Sequence, residues 1–280
     1  MALRKILLAF ALAAFLLPGA AEPFEVSISP SRIKPGDAFV ITVTEAHSCS
    51  LPVAALDNRE LPFGRCGEGC FIAIGALDIE SSPGSYAIGV KMGTEERSVR
   101  LAMEPVRFPE EAITLQREKV FLSEQDRARV HEEALRLNAL WDTVTERAWT
   151  GRFTIPLGNS LSTPFGTKRT MNGSKVSVHR GVDIRGNEGE EVLASNAGRV
   201  ALAEELFYGG NTVVLDHGQG VFTIYMHLSA FTVKEGEEVA KGRVIGRVGS
   251  TGRSSGPHLH FGVKVSGISV NPLSFTKLKL

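Results

Sequence analysis

The chain has 280 residues, 43% of them hydrophobic, and its 31 basic and 31 acidic residues leave no net charge. That is enough apolar material for one to three domains with a sizeable core. The balance of charge excludes a basic footprint for nucleic acid and a polybasic tail for an anionic membrane.

The chain begins "MALRKILLAFALAAFLLPGAAEP". Arg4 and Lys5 precede an unbroken apolar run, Ile6 to Leu17, which Pro18 and Gly19 break before small residues. This pattern is that of a secretory signal over residues 1–21. The run is short for a bilayer span, which takes about 20 residues. No cysteine sits at the cleavage site, so no lipid or membrane anchor is expected after cleavage. Export places the chain in the periplasm or outside the cell, where disulfides persist. Its three cysteines, Cys49, Cys66 and Cys70, predict one disulfide and one odd thiol. "CGEGC" permits a small loop between Cys66 and Cys70, and Cys49 is an equally acceptable partner for either.

Residues 22–104 carry short runs rich in Val, Ile and Phe, such as "AFVITVTEA", "CFIAIGALD" and "GSYAIGVKM", between turn residues. They predict an immunoglobulin-like β-sandwich with no chemistry of its own, a spacer or docking module. Residues 105–150 change period. Ser123 and Asp126 fit a capping box, and Val130, Ala134, Leu137, Trp141, Val144 and Ala148 recur at helical spacing. One amphipathic helix is expected as the linker, with His131 solvated on its polar side. Trp141 and Trp149, the only tryptophans, predict that it packs on something, either the sandwich or a surface that restrains the site described next.

From residue 151 onward, glycine turns and valine-rich runs predict an antiparallel β domain, and five of the seven histidines fall in it. In "HLHFGVKV", Leu259, Phe261, Val263 and Val265 point to one face of a strand. His258 and His260 share the other, about 7 Å apart. In "VFTIYMHL", alternation sets Phe222, Ile224, Met226 and Leu228 toward the core, with Thr223, Tyr225 and His227 opposite. "HRGVDIRG" holds His179 and Asp183 four apart, with Gly181 letting the chain bend. Imidazole and carboxylate are good zinc ligands. Each fragment is weak alone, and their concentration in one small domain is not. His217, in "DHGQG", reads as a structural turn residue.

Residues 153–276 resemble the lysostaphin/LytM-type zinc metallopeptidases. The matching stretches are "LSTPFGTKRT", "HRGVDIRG", "GNTVVLDHGQG", "YMHLS", "VGSTGRSSGPHLHF" and "VNPLSF", in the family's order. The resemblance implies an endopeptidase acting on peptidoglycan stem peptides. It implies one Zn2+ held by His179, Asp183 and His260, and catalytic histidines at His227 and His258. Three protein ligands leave a fourth position open, as in catalytic rather than structural zinc sites. The family's tyrosine shortly before the first metal histidine has no counterpart in "MNGSKVSVH", and Gly262 stands where many members carry Glu. Two rival readings remain. A mononuclear iron oxygenase shares the two-histidine, one-carboxylate set, and export and two spare histidines disfavour it. A non-catalytic activator of other wall hydrolases would lack a ligand, and all five residues are present.

Overall fold

The computed structural model of the protein describes residues 24–44 and 50–280. The expected signal, residues 1–21, and Cys49 lie outside them. Cys66 and Cys70 are joined by a disulfide. No helix among the described residues is long and apolar enough to cross a membrane. The chain is mostly β, as expected.

The first part has two sheets. One orders Glu25–Ser29, Ala38–Thr44, Cys70–Ala76 and Gly64–Gly67, and the other Arg32–Ile33, Glu95–Met103, Gly84–Met92, Val53–Leu56 and Arg59–Glu60. Phe39, Ile41, Val43, Phe71 and Ala73 point into the core between these sheets with Ile88, Val90 and Leu101. The alternate residues of the same two strands, Ala38, Val40, Ile72, Ile74 and Ala76, are just as buried. They face the second part and join its core, with Tyr225, Phe261 and Phe275. Burial on both faces explains why "AFVITV" and "FIAIGA" read as near-continuous apolar runs. Polar contacts seal the junction. Asn271 N donates to Gly36 O at 2.7 Å. Arg180 pairs with Asp78 and Glu80, each at 3.1 Å.

The second part is one large antiparallel sheet. Its main path runs Leu161–Thr163, Val182–Arg185, His258–Val265, Val221–Phe231, Gly210–Gly218, Gly198–Leu206 and Glu238–Val239. The strand His258–Val265 divides its faces as its alternation predicts, with Leu259, Phe261, Val263 and Val265 fully buried.

The strand Val221–Phe231 does not. Its Tyr225 and Leu228 enter the main core, whereas Phe222 and Ile224 lie on the opposite face around Trp141. The expected facing is therefore reversed before residue 226 and restored after it. The cause is a β-bulge. Val213 lies opposite Tyr225 and Asn211 opposite Leu228, so Met226 and His227 share the span of Thr212. His227 takes a left-handed φ of 66° to make it. Strict alternation would have buried His227 beside Tyr225; the extra residue turns it outward beside Met226.

Residues 105–150 hold more than a helix. The strand Glu110–Ile113 pairs in parallel with Lys168–Met171, which pairs with Lys175–Val178. The main helix runs Glu124–Trp141, capped by Ser123, whose hydroxyl accepts from Asp126 N at 3.1 Å. It ends well short of Trp149. Beyond it, Thr145 O accepts from Gln219 N, and Ala148 N donates to His217 O, so the second part captures the chain in extended form. Val144 and Ala148 are exposed there, and so is His131 on the helix. The helix packs on the outer face of the large sheet and not on the sandwich. Trp141 meets Phe222 edge-on at 5.3 Å, and the buried carboxylate of Glu133 accepts from Phe207 N at 2.9 Å. Trp149 sits in the main core near Phe153.

His217 is a core residue in a strand and not a turn residue. Its Nδ1–H donates to Ala197 O and its Nε2 accepts from Thr223 Oγ1, both at 2.7 Å. Burial pushes its pKa down to about 4, against a weaker upward pull from the Ala197 carbonyl. An unfolded histidine titrates near 6.5. The unfolded state therefore takes up a proton first, and stability falls as pH drops from about 6.5 to about 4. This histidine accounts for a loss on the order of 3 kcal/mol over that interval. Thermal melts of wild type and His217→Gln across it check the assignment: the variant starts lower and loses less.

Candidate metal centre

Two adjacent antiparallel strands bring the ligand candidates together. Asp183 lies directly opposite His260, and Met226 lies opposite His260 on its other side. His179 precedes the strand Val182–Arg185. Its Nε2 is 3.0 Å from Asp183 Oδ1 and 2.9 Å from His260 Nδ1. His260 Nδ1 is 2.9 Å from the same Oδ1. The three atoms form a triangle with edges close to those of a tetrahedron with ~2.0 Å metal bonds, about 3.3 Å.

His179 Nδ1 lies 3.0 Å from Pro164 O. A carbonyl only accepts, so Nδ1 carries a hydrogen and Nε2 is the nitrogen turned inward. Asp183 adds a carboxylate oxygen. Burial alone would raise its pKa, yet hydrogen bonds and charge from His179 and His260 hold it well below the usual carboxylate range. His260 is held down by burial above all. Two imidazole nitrogens and a carboxylate oxygen converging on one point are a donor set suited to a cation. His179, Asp183 and His260 form a group that could hold a metal ion. The set fits a single zinc with a fourth position open to the groove.

Gly181 serves this centre differently from what its place between ligands suggests. It takes no left-handed turn; instead a Cβ there would lie 2.5 Å from His260 Nε2 and 2.7 Å from Phe261 O. Its bare backbone makes room for the His260 ring.

His227 and His258 stand beside the triangle. Their ring centroids are 4.8 Å apart, and His258 Nε2 is 3.8 Å from Asp183 Oδ1. His227 Nδ1 donates to Thr251 O at 2.9 Å, and His258 Nδ1 donates to Gly256 O at 2.8 Å. Both rings therefore carry a hydrogen on Nδ1 and leave Nε2 free of these carbonyls. Burial lowers the pKa of His227 to about 3, helped by the neighbouring His258 and His260. The left-handed backbone of His227, disfavoured by about 1–3 kcal/mol, is held by its N–H to Gly209 O at 2.7 Å.

Two further residues act here that the sequence did not single out. Arg169 Nη2 donates to Asp183 Oδ2 at 2.5 Å, the carboxylate oxygen turned away from the histidines. Its Nε donates to Glu111 Oε1 at 2.7 Å. Glu111 lies opposite Arg169 in the parallel strand pair, so the linker strand supports a candidate ligand. The only signal was a basic residue in "TKRT", and its acidic partner lies 58 residues away. The centre opens into a groove of about 570 Å³, walled by Glu111, Ile113 and Leu115 on one side and by Tyr208 and residues 253–258 on another.

Residues 177–272 match the model of peptidase family M23. A DD-carboxypeptidase/endopeptidase, Mpg, of Neisseria meningitidis is 43% identical over 114 residues, which are 41% of this chain and 26% of that protein. The murein hydrolase activator NlpD of Escherichia coli is 36% identical over 123 residues, 41% of this chain and 32% of that protein. The chain thus spans about a quarter to a third of these curated relatives. A crystal structure of a candidate peptidase M23 from Pseudomonas aeruginosa superposes with a TM-score of 0.68 at 27% identity, covering 86% of this chain and 94% of that one.

Two variants test the support of the centre. Gly181→Ala displaces the His260 ring and abolishes tight zinc binding while far-UV circular dichroism stays unchanged. Arg169→Ala frees the outer carboxylate oxygen and weakens zinc binding about 10–100-fold, read by competition with a chromogenic chelator. Unchanged affinity in Arg169→Ala would remove that residue from the metal's support.

Proposed function

We propose, on the premise that residues 177–272 are a peptidase family M23 domain, that the protein is a zinc endopeptidase hydrolysing peptide crosslinks of bacterial peptidoglycan in the cell envelope. One observation carries the reading. Three donor atoms, His179 Nε2, Asp183 Oδ1 and His260 Nδ1, lie 2.9–3.0 Å from one another in a groove, and the rings of His227 and His258 stand beside them. A structural metal site has no use for the second pair.

His179 Nε2, Asp183 Oδ1 and His260 Nδ1 would hold the zinc. Bound there, zinc supplies Lewis acidity that brings the pKa of water to about 7 and polarises a carbonyl. The remaining steps belong to the chain. His258 Nε2, nearest the ligand set, accepts the proton of the attacking water and returns it to the leaving amine. His227, neutral at any working pH, accepts a hydrogen bond through Nε2 and fixes the water's orientation. The Thr251 and Gly256 carbonyls keep both tautomers in place without adding charge. Arg169 keeps the second carboxylate oxygen occupied, so Asp183 presents one oxygen inward. The similarity to Mpg supports a DD-type crosslink in a diaminopimelate wall, the D-alanyl–diaminopimelate bond; glycyl–glycine is the alternative. The similarity to NlpD favours a second reading, a wall-bound activator. The complete ligand set and the paired bases argue against it.

Purified full-length chain with one equivalent of zinc should release crosslink-cleaved products from sacculi, identified by mass spectrometry. Release only when another hydrolase is present would establish the activator. Zinc content and digestion measured together separate the roles. His179→Ala, Asp183→Ala and His260→Ala lose metal and activity together. His227→Ala and His258→Ala keep the metal and lose about 10²–10⁴-fold in rate. Zinc lost from His258→Ala but kept in His260→Ala would reverse the assignment within that pair.

A further inference from the structure

The groove does not end at the histidines. Past Tyr208 and Arg253 it continues into a cavity of about 270 Å³, whose lining includes Arg253, Arg127 and Lys175 and no carboxylate. Two of the other cations that line the groove, Arg169 and Arg180, are matched, whereas Arg185 has no side-chain partner among the described residues. Arg169 pairs with Glu111 and Asp183, and Arg180 with Asp78 and Glu80. The side chains of Arg253, Arg127 and Lys175 make no hydrogen bond or ion pair among the described residues.

Arg253 is also built in rather than draped over the surface. Its guanidinium lies 4.1 Å over the Tyr208 ring, and its backbone N donates to Tyr208 O at 2.9 Å. The loop beneath it is pinned. Asn211 N donates to Thr251 Oγ1 at 2.9 Å, and Thr251 Oγ1 donates to Leu228 O at 2.8 Å. Gly252, with φ of +71°, is so close to Gly210 that a Cβ would lie 2.2 Å from its nitrogen. The same Thr251 holds the His227 ring through its carbonyl, so Arg253 is fixed relative to that base. Burial disfavours its charge, with Arg169 adding to the effect. A guanidinium stays charged regardless. A half-buried charge with five donors and no acceptor is incomplete without an anion.

We propose that Arg253 is the anchor of a carboxylate-binding subsite, extended by Arg127 and Lys175, that selects crosslinked stem peptides bearing a free carboxylate over their carboxamide forms. The proposal rests on the peptidoglycan reading above and names the feature of the substrate that this wall of the groove recognises. A planar fork stacked on an aromatic face suits a carboxylate bidentately, which a lysine does not reproduce.

The test separates binding from cleavage. Synthetic uncrosslinked stem tetrapeptides, in free-carboxylate and carboxamide forms, are titrated calorimetrically into the zinc-loaded full chain. Wild type should bind the carboxylate form about tenfold more tightly. Arg253→Gln should bring the two forms to within about twofold by weakening the carboxylate form alone. Arg253→Lys should retain part of the preference, and Lys175→Gln should reduce it less. Melting temperature verifies that each variant folds. Equal affinity of wild type for both forms overturns the subsite, as does an equal loss on both forms in Arg253→Gln. Cleavage of crosslinked dimers is followed in parallel. A preference in binding without any cleavage leaves the subsite standing and removes the endopeptidase.

Discussion

The register that sets Asp183 opposite His260 is the constraint on which the centre depends. Side chains on a strand alternate, so a slip of one residue between these strands would turn a candidate ligand into the core and an apolar residue into the groove. The apolar partners hold the register from the other face. Val182 lies opposite Phe261 and Ile184 opposite Leu259, all fully buried. The hydrophobic core thus positions the carboxylate and the imidazole, and the polar atoms only refine what packing has decided. Gly181 belongs to the same logic, since a methyl group there would compete with the His260 ring for one space.

The backbone also chooses which nitrogen does what. Pro164 O, Thr251 O and Gly256 O each accept from the Nδ1 of a different histidine. None of these carbonyls brings a charge that would raise the affinity of the ring for a second proton as a carboxylate partner does. The carbonyls fix the orientation of each ring through its Nδ1. Asp183 is the exception. Its outer oxygen rests on a guanidinium that itself rests on Glu111.

The grouping of the candidate ligands was legible because it lies in residue types: two histidines on one face of an unbroken alternation, and a histidine and an aspartate close in sequence. The apolar face of His258–Val265 followed from the same alternation. The strand Val221–Phe231 was misread because a bulge has no residue type of its own here. A left-handed histidine looks like any other, so the period inverts unannounced at His227. The helix was drawn too long for a related reason. Val144 and Ala148 keep helical spacing, but hydrogen bonds from Gln219 and to His217 claim the backbone there, and local periodicity carries no record of such distant partners. Glu111 with Arg169, and Tyr208 with Arg253, were silent because each pair is assembled only by tertiary structure.

The two strands buried on both faces, Ala38–Thr44 and Cys70–Ala76, alter what a module means in this chain. Composition draws a border before the glycine- and valine-rich second part, yet residues from the first part complete the core of the second. Cutting there would expose Tyr225, Phe261 and their neighbours' apolar surroundings on one piece and the outer row of Val40, Ile72 and Ile74 on the other. Neither piece inherits a finished surface. Recombination between relatives, in the laboratory or over evolutionary time, therefore has to carry this seam as a unit or replace both of its sides together.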